Sequence, residues 1–424
     1  MKKGLLKKMF VGVLAICMAC AVTACGEDTE PNGNNNSSTT NSSQVSTNTQ
    51  NSEQPSAVSE VSEEKIGTGS NEDFQYKIYT NHIEIILYKG QSKDVVIPDT
   101  LEGKPVTVIA KEALFCKDIT SVAIPSSVKI IEESAFKNCQ SLKKVVFSEG
   151  LEKIGYEAFL NCPSLTEVSL PNSLVEMDSY AFKDCVMLEK VNISENTTKI
   201  GMQAFLWTKW YENQPYGLLY INNVLYEYKG SYEEKIYAPE TVDIKDGTVS
   251  ISPFAFSWQT ETVTINIPKS VSYIGNSAFS NCSKLKNITL PDGITEIGRG
   301  MFSGCEKLES INIPDSVTSI GEEAFHSCYA LKEIVIPSSV TEIGKLAFTS
   351  CTNIEEMVIP EGITSLNLTF YHCSSLKTVY IPESVTEIKK NTFEDCKALE
   401  SISGKSGSYA ETYAKEQNIT FKAK

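Results

Sequence analysis

A unit of 23 residues recurs through most of this 424-residue chain and limits the fold more than any other feature. Three aligned copies are "IPKSVSYIGNSAFSNCSKLKNITLP" (267–291), "IPDSVTSIGEEAFHSCYALKEIVIP" (313–337) and "IPSSVTEIGKLAFTSCTNIEEMVIP" (336–360). A repeat this short cannot bury its apolar face alone, so it must stack on its neighbours. The sequence therefore predicts a solenoid with one coil per repeat.

One phenylalanine per repeat marks the coils and predicts about 12 of them. The twelve positions are Phe115, Phe136, Phe159, Phe182, Phe205, Phe256, Phe279, Phe302, Phe325, Phe348, Phe370 and Phe393. Ile334 and Ile336 alternate with outward positions and end at a proline, which predicts a short strand. "SVTEIG" (339–344) predicts a second extended piece, and "KLAFTSC" (345–351) predicts a helical turn. We expect a mainly β, right-handed solenoid with short parallel strands and helical turns.

A cysteine column follows from the same spacing. Nine cysteines stand three positions after a phenylalanine, and Cys116 joins them at 23 residues before Cys139. Three interpretations are open: buried small apolar residues, disulfides between coils, and a metal or catalytic site. Buried thiols are favoured because in-register side chains point the same way, which suits the torsion of a disulfide badly. Zinc is disfavoured because the cysteines of the repeats include no CxxC pair.

The pattern "IPxSVTxIGxxAFxxCxxLxxVxIP" resembles the bacterial leucine-rich repeat of the BspA type, also called the Treponema pallidum type. The resemblance covers about residues 95–404. It implies a cell-surface or secreted protein that adheres to host or bacterial partners. The motif carries no catalytic residues, so the resemblance implies no enzyme.

The N-terminus has the pattern of an export signal. Four lysines precede the apolar run "MFVGVLAICMACAVTA" (9–24), and Cys25 follows directly. Val22-Thr23-Ala24-Cys25 resembles the lipobox of bacterial lipoproteins, which predicts a signal peptide over 1–24 and a lipid on Cys25; an ordinary secretory signal is the alternative. Residues 25–70 nearly lack large apolar side chains and predict a disordered polar tether. The expected location is the outer face of a bacterial membrane.

Both ends of the solenoid need a cover, because a terminal coil exposes apolar surface and an unpaired strand edge. Residues 71–94 predict a capping hairpin about Thr80-Asn81, and 405–424 predict a helix, with Tyr409, Ala410, Tyr413 and Ala414 on one face, followed by a strand. The interval between Phe205 and Phe256 is 51 residues, so a hairpin is inserted at about 206–237. Its aromatic side chains include Trp207, Trp210 and Tyr211. They could bind a ligand, but packing the hairpin onto the solenoid is the favoured interpretation.

Outward strand positions are the expected place for ligand contacts. Two columns are predicted, one passing through Glu333, Glu356 and Thr378 and the other through Val335, Val358 and Tyr380. The two valines and Tyr380 form a predicted apolar patch beside the two glutamates. An exposed apolar patch can mark an interaction site, although valine and tyrosine also simply suit a strand.

Other functions find little support in the sequence. The chain contains 38 basic and 53 acidic residues and a single arginine, Arg299, so it lacks the basic stripe that nucleic acid requires. No nucleophile elbow, HExxH, phosphate-binding loop or dinucleotide fingerprint is present. The histidines His82, His326 and His372 are scattered, so we predict no metal site and no cofactor.

The sequence favours a lipid-anchored surface solenoid that binds an extracellular protein or glycan without catalysis. The alternative is a structural spacer or an envelope-assembly component without a specific ligand. A solute-binding lipoprotein is disfavoured, since a solenoid does not provide two lobes that close on a cleft.

Overall fold

Each repeat forms two short strands because apolar residues alternate with polar ones at two places in the 23-residue unit. A computed structural model describes residues 64–231 and 234–424. The predicted signal peptide and lipidated Cys25 lie outside the described residues, as does the tether up to residue 63. The described part is a mainly β solenoid of about 15 coils, more than the 12 predicted, because coils without the phenylalanine also stack.

The front strands of the solenoid contain the "VxIP" part of each repeat. They are β4 (Asp94–Val96), β7 (Ser121–Ile124), β9 (Lys144–Phe147), β11 (Glu167–Ser169), β13 (Lys190–Asn192), β17 (Thr241–Asp243), β19 (Thr264–Asn266), β21 (Asn287–Ile288), β23 (Ser310–Asn312), β25 (Glu333–Val335), β27 (Glu356–Val358), β29 (Thr378–Tyr380), β31 (Ser401–Gly404) and β32 (Thr420–Ala423). They pair in parallel in groups of two to four, and Ser310 lies opposite Glu333, one repeat away.

The back strands contain the "TxIG" part of each repeat and are only two residues long. They are β8 (Ile130–Ile131), β10 (Lys153–Ile154), β12 (Glu176–Met177), β14 (Lys199–Ile200), β18 (Ser250–Ile251), β20 (Tyr273–Ile274), β22 (Glu296–Ile297), β24 (Ser319–Ile320), β26 (Glu342–Ile343), β28 (Ser365–Leu366) and β30 (Glu387–Ile388). In each of them the second residue is buried.

The segment between the back strand and the cysteine is a chain of tight turns, so the prediction of a helical turn is wrong. In the coil of Phe136, both Ser134 and Asn138 have a positive φ, 56° and 63°, and equivalent residues recur in most coils. An α-helix does not contain such left-handed residues. The amides of Ser134, Phe136 and Asn138 instead donate to carbonyls of the next coil. These hydrogen bonds hold successive coils together.

Phenylalanine rings stack through the interior in two runs. Phe136 to Phe205 stack with centroids 4.9–5.7 Å apart, and Phe256 to Phe393 stack with centroids 5.4–5.8 Å apart. The assignment of Phe115 to this column is wrong. Leu114 is fully buried there instead, whereas Phe115 is 37% exposed. The first coil is one residue shorter after the slot, between Leu114 and Val122, and leucine fills the slot without an aromatic partner.

Nine cysteines form the predicted buried column, and all ten described cysteines are free thiols. Each buried Sγ lies 3.1–3.2 Å from a carbonyl of the preceding coil, as Cys328 does from Phe302. The thiol donates to that oxygen, which explains why the column points one way. Cys116 is exposed and lies outside the column, because it occupies the left-handed position that Asn138 holds in the next coil.

The N-terminal cover is larger than the predicted hairpin. β2 (Phe74–Tyr79) and β3 (Ile83–Tyr88) form the antiparallel hairpin, but β1 (Lys65–Ser70) adds a third strand. The tether therefore ends before residue 65 and not at residue 70. Gly69 permits the extra strand, since a Cβ there would lie 2.2 Å from the Tyr76 ring. The parallel pairing of β3 with β6 (Lys104–Ile109), which in turn pairs with β5 (Thr100–Leu101), joins the cover to the solenoid.

The C-terminal cover contains the predicted helix and strand. Helix α2 (Tyr409–Glu416) buries Ala410, Tyr413 and Ala414, and β32 pairs in parallel with β31. Tyr409 is 39% exposed, contrary to the prediction, because it is the first residue of the helix and lies off the packed stripe.

The predicted insertion contains helix α1 (Lys209–Glu212) and a hairpin of β15 (Gly217–Ile221) and β16 (Val224–Lys229), turning at Asn222-Asn223. β16 pairs with β18, so the hairpin supplies one rung of the back column. The fully buried Tyr226 lies edge-on to Phe205, with centroids 6.4 Å apart. The buried apolar residues divide here into two clusters, one on each side of the hairpin.

Candidate functional site

The front strands present the predicted outward columns in register. Glu333 and Val335 share β25, and Glu356 and Val358 share β27, which pairs with β29 so that Val358 lies opposite Tyr380. Val335 is 81% exposed and Val358 is 63% exposed, whereas the Ile334 and Met357 side chains between the columns are buried. The structure therefore brings the predicted apolar patch together on one face.

Two unpaired carboxylates border this patch. In the neighbouring column, Glu309 pairs with Lys332 and Glu355 pairs with Lys377, at 3.3 Å and 2.7 Å. Among the described residues, Glu333 and Glu356 form no ion pair or hydrogen bond of this kind, and both are exposed. Like charges on neighbouring strand positions repel each other. The pKa of Lys377 is raised chiefly by its hydrogen bond to Glu355, and of the two unpaired carboxylates only Glu356 lies near enough to contribute to that rise.

Tyr380 closes the patch on its C-terminal side. Its ring is half-buried, and the Lys424 Nζ lies 5.9 Å from the ring centroid. A cation at this distance is weakly attracted by the ring face. We name the surface formed by Glu333, Val335, Glu356, Val358 and Tyr380 the C-terminal patch.

A similar surface lies at the other end of the front face, and of its residues only Val96 is absent from the predicted columns, the second of which begins with Ala123 and Val146. Val96 on β4 is 71% exposed and Val146 on β9 is 44% exposed, and Ala123 lies between them in register. The exposure of Val96 could have been predicted from the sequence, since "VVIP" (95–98) repeats the strand motif one coil before Ala123. Its border differs, because Lys144 replaces a glutamate.

The three candidate aromatic residues of the insertion have different environments. Trp210 packs against Phe205, with ring centroids 5.0 Å apart, and Trp210 and Tyr211 both contact the buried core. These two side chains therefore pack the insertion onto the solenoid, as the favoured interpretation predicts. Trp207 is half-buried at the surface, and its ring lies 4.9 Å from the Lys183 Nζ.

A buried polar cluster, which the sequence did not indicate, fixes the insertion. The Tyr211 hydroxyl donates to Glu227, and burial raises the pKa of both groups. The Lys229 Nζ donates to the carbonyls of Tyr211 and Gln214 at 2.6 Å and lies 4.6 Å from the Tyr211 ring centroid. An ammonium that neutralises a helix C-terminus and faces an aromatic ring holds helix α1 on the hairpin.

The histidines are separate from the C-terminal patch. His82 is buried and stacks on Tyr79, His326 is half-buried, so that its pKa is lowered, and His372 Nδ1 lies 3.4 Å from Asp395 Oδ2. Within residues 64–231 and 234–424, no group of three or more histidine, cysteine or acidic side chains could hold a metal ion. Neither described helix, four and eight residues long, could cross a membrane.

The stacked coils, the free thiols and the exposed strand columns define a leucine-rich repeat solenoid. The model for the "BspA type Leucine rich repeat region" matches residues 107–225, 249–369 and 295–418, more than half of the sequence. This chain therefore belongs to the BspA-type leucine-rich repeat family.

Solved bacterial structures with the same repeats are similar to the chain. A leucine-rich cell surface protein from Faecalibacterium prausnitzii is 26% identical, with 82% of this chain and 97% of that one covered and a TM-score of 0.31. A leucine-rich repeat protein from Bacteroides ovatus is 23% identical, with 84% and 99% covered and a TM-score of 0.37. The Treponema pallidum leucine-rich repeat protein is 20% identical, with 68% and 90% covered and a TM-score of 0.24. No curated protein matches the chain significantly.

Proposed function

We propose that this protein is a non-catalytic binding module displayed on a bacterial surface, and that the C-terminal patch contacts a protein partner. The observation that carries the proposal is the exposure of Val335 and Val358 beside two carboxylates without ion-pair partners. A branched apolar side chain that is four-fifths exposed gains most by burial against a partner. The membership in the BspA-type leucine-rich repeat family supports this function.

The charge of the C-terminal patch specifies the kind of partner. Glu333 and Glu356 repel each other and would be neutralised by lysine or arginine side chains. The exposed valines beside the two glutamates would accept apolar groups of the same partner. We therefore expect a protein surface or extended segment that carries both basic and apolar side chains.

A binding experiment with the full chain tests this proposal. Immobilised protein is exposed to fractions of extracellular matrix, mucus and neighbouring bacteria, and saturable binding of a purified component is measured. The double variant Val335→Asp/Tyr380→Ala should lose at least tenfold in affinity, and binding by the unaltered chain should weaken as salt rises. Val96→Asp is the matched control, because it alters an exposed valine of the same column at the other end. Equal losses in both variants, or undiminished binding, would remove the C-terminal patch from consideration.

Display on the membrane is a separate part of the proposal. Cys25 would carry the lipid, and the polar segment that follows it would hold the solenoid away from the bilayer. Cys25→Ala should move the protein from the membrane fraction to the soluble fraction. Unchanged fractionation would contradict lipid anchoring and leave the proposed binding function unaffected. If no component binds saturably, the alternative of a structural spacer is favoured.

A further inference from the structure

Large aromatic residues occupy left-handed backbone positions in two consecutive coils on one side of the solenoid. Tyr180 and Trp207 have φ values of 61° and 63°. Other coils place residues of several types at the position of Tyr180, among them Ser134, Ser277, Leu346 and Phe254. At the position of Trp207 they place Asn138, Asn161, Asn281, Ser327, Ser350 and Trp258. Bulky side chains are rare at positive φ because the conformation is strained. The backbone therefore supplies no reason for aromatic residues at these two positions.

Core packing does not supply this reason. Tyr180 and Trp207 are both half-buried, and neither belongs to the apolar core clusters. Tyr156, which precedes Tyr180 by one coil, is 38% exposed. Its ring lies edge-on to that of Tyr180, with the two centroids 5.5 Å apart.

Lys183 joins the rings into one surface. Its Nζ lies 4.7 Å from the centroid of Tyr180 and 4.9 Å from that of Trp207. An ammonium has three N–H donors. Apart from these ring contacts, the Lys183 ammonium makes no hydrogen bond or ion pair with the described residues. A diagonal aromatic ridge thus crosses three coils and consists of Tyr156, Tyr180, Lys183 and Trp207. The rings of Tyr180 and Trp207 position the ammonium of Lys183 and its N–H donors.

We propose that this aromatic ridge, which is distinct from the C-terminal patch, binds a neutral glycan. Pyranose rings have one apolar face that packs on aromatic side chains, and their hydroxyl oxygens would accept hydrogen bonds from the Lys183 ammonium. The hydroxyl of Tyr180 would donate as well. Acidic sugars are disfavoured, because Glu157 lies beside both tyrosines and already pairs with Lys137.

The test uses the full chain and neutral oligosaccharides of defined structure. Calorimetric titration with cellotetraose, N-acetylchitotetraose and lacto-N-neotetraose should show saturable binding for at least one of them. Tyr180→Ser and Trp207→Asn place the residues of other coils into these positions. Each should weaken binding at least tenfold while the melting temperature is unchanged or higher, because strain is relieved. Lys183→Met should weaken binding severalfold, since it retains contact with the rings but removes the donors.

Trp258→Asn is the matched control. Trp258 has a φ of 66° and is 46% exposed in a coil beyond the insertion, and neither Tyr180 nor Lys183 contacts it. Its removal should leave glycan affinity unchanged. The inference is overturned if none of the three oligosaccharides binds, if Tyr180→Ser and Trp207→Asn both retain affinity within twofold, or if Trp258→Asn weakens binding as much as they do. The variant Val335→Asp/Tyr380→Ala should bind the oligosaccharide normally, so failure here is separable from failure of the proposed protein-binding function.

Discussion

The regular coils from Phe256 to Phe393 and the inserted rung at Tyr226 solve the same packing problem in different ways. In the regular coils, each ring stacks on the next with interplanar angles of 3–18°, and each coil after the first has a buried thiol three residues further on. At the inserted rung, the plane of the Tyr226 ring lies at 63° to that of Phe205. Beside this ring, Tyr211, Glu227 and Lys229 form polar contacts in place of the apolar contacts of a regular coil.

The difference shows how stability is distributed. A regular coil depends on apolar burial that its neighbours share, so its environment is repeated many times. The inserted rung depends on a small set of polar contacts that occur once. Removing one polar side chain from the inserted rung leaves its buried partners without a hydrogen bond or counter-charge. Removing an apolar side chain from a regular coil costs only packing.

The largest effect is expected in the middle of the regular stack. Phe302→Ala removes a fully buried ring between Phe279 and Phe325. We expect the free energy of unfolding to fall by about 3–5 kcal/mol, measured by urea denaturation. A loss below about 1 kcal/mol would show that the stack is not tightly packed.

The inserted rung should be nearly as sensitive to one polar change. Lys229→Met removes the ammonium that contacts the carbonyls of Tyr211 and Gln214. We expect a loss of about 2–4 kcal/mol, together with faster hydrogen exchange in β15 and β16. Lys245→Met is the control, because Lys245 is exposed and lies 5.8 Å from the Tyr220 ring centroid. Equal effects of both changes would contradict the account of the insertion.

A smaller effect is expected from pH in the regular coils. Burial raises the pKa of Cys282 to about 12, while an unfolded thiol has a pKa of about 8.5. The folded state binds the proton more tightly, so its stability is complete below about pH 8.5 and declines as the pH rises towards 12. Cys282→Thr introduces the residue that Thr208 provides in this slot. Between pH 7 and pH 9.5, the free energy of unfolding of the variant should fall by about 1 kcal/mol less than that of the unaltered chain. An identical pH dependence would contradict the burial of this thiol.

The smallest effect is expected at Phe115, outside both regions. Phe115→Ala should change the free energy of unfolding by less than about 0.5 kcal/mol, because the side chain is exposed and Leu114 fills the core position. Leu114→Ala, by contrast, should cost about 2–4 kcal/mol. If the two values were reversed in urea denaturation, the register of the first coil would be wrong.

The regular coils were predictable because one environment recurs at a fixed spacing. The front columns, the buried thiols and the positions of both covers follow from this periodicity. The turns were mispredicted as helical, since "KLAFTSC" has good helix-forming residues and only stacking forces Leu346 and Ser350 into left-handed conformations. A shift of one residue misplaced Phe115 and Cys116, because a constant spacing of 23 residues was assumed, whereas Leu114 precedes Phe136 by only 22.

The candidate sites were predictable only in part, for a similar reason. The exposure of Val335 and Val358 follows from strand alternation. The burial of Trp210 and Tyr211 depends on Glu227 and Lys229, which lie 15 or more residues away and belong to no repeat. The contacts of Lys183 with Tyr180 and Trp207 cross between coils at a left-handed position, which sequence alternation does not reveal.

Timed thiol labelling is the most direct test of a stack in which equivalent side chains share one environment. Among the ten described cysteines, Cys116 alone should react within minutes in the native protein, and the other nine should react only after denaturation. Rapid labelling of several thiols before unfolding, or fewer than ten free thiols after it, would contradict the column and the solenoid that it requires.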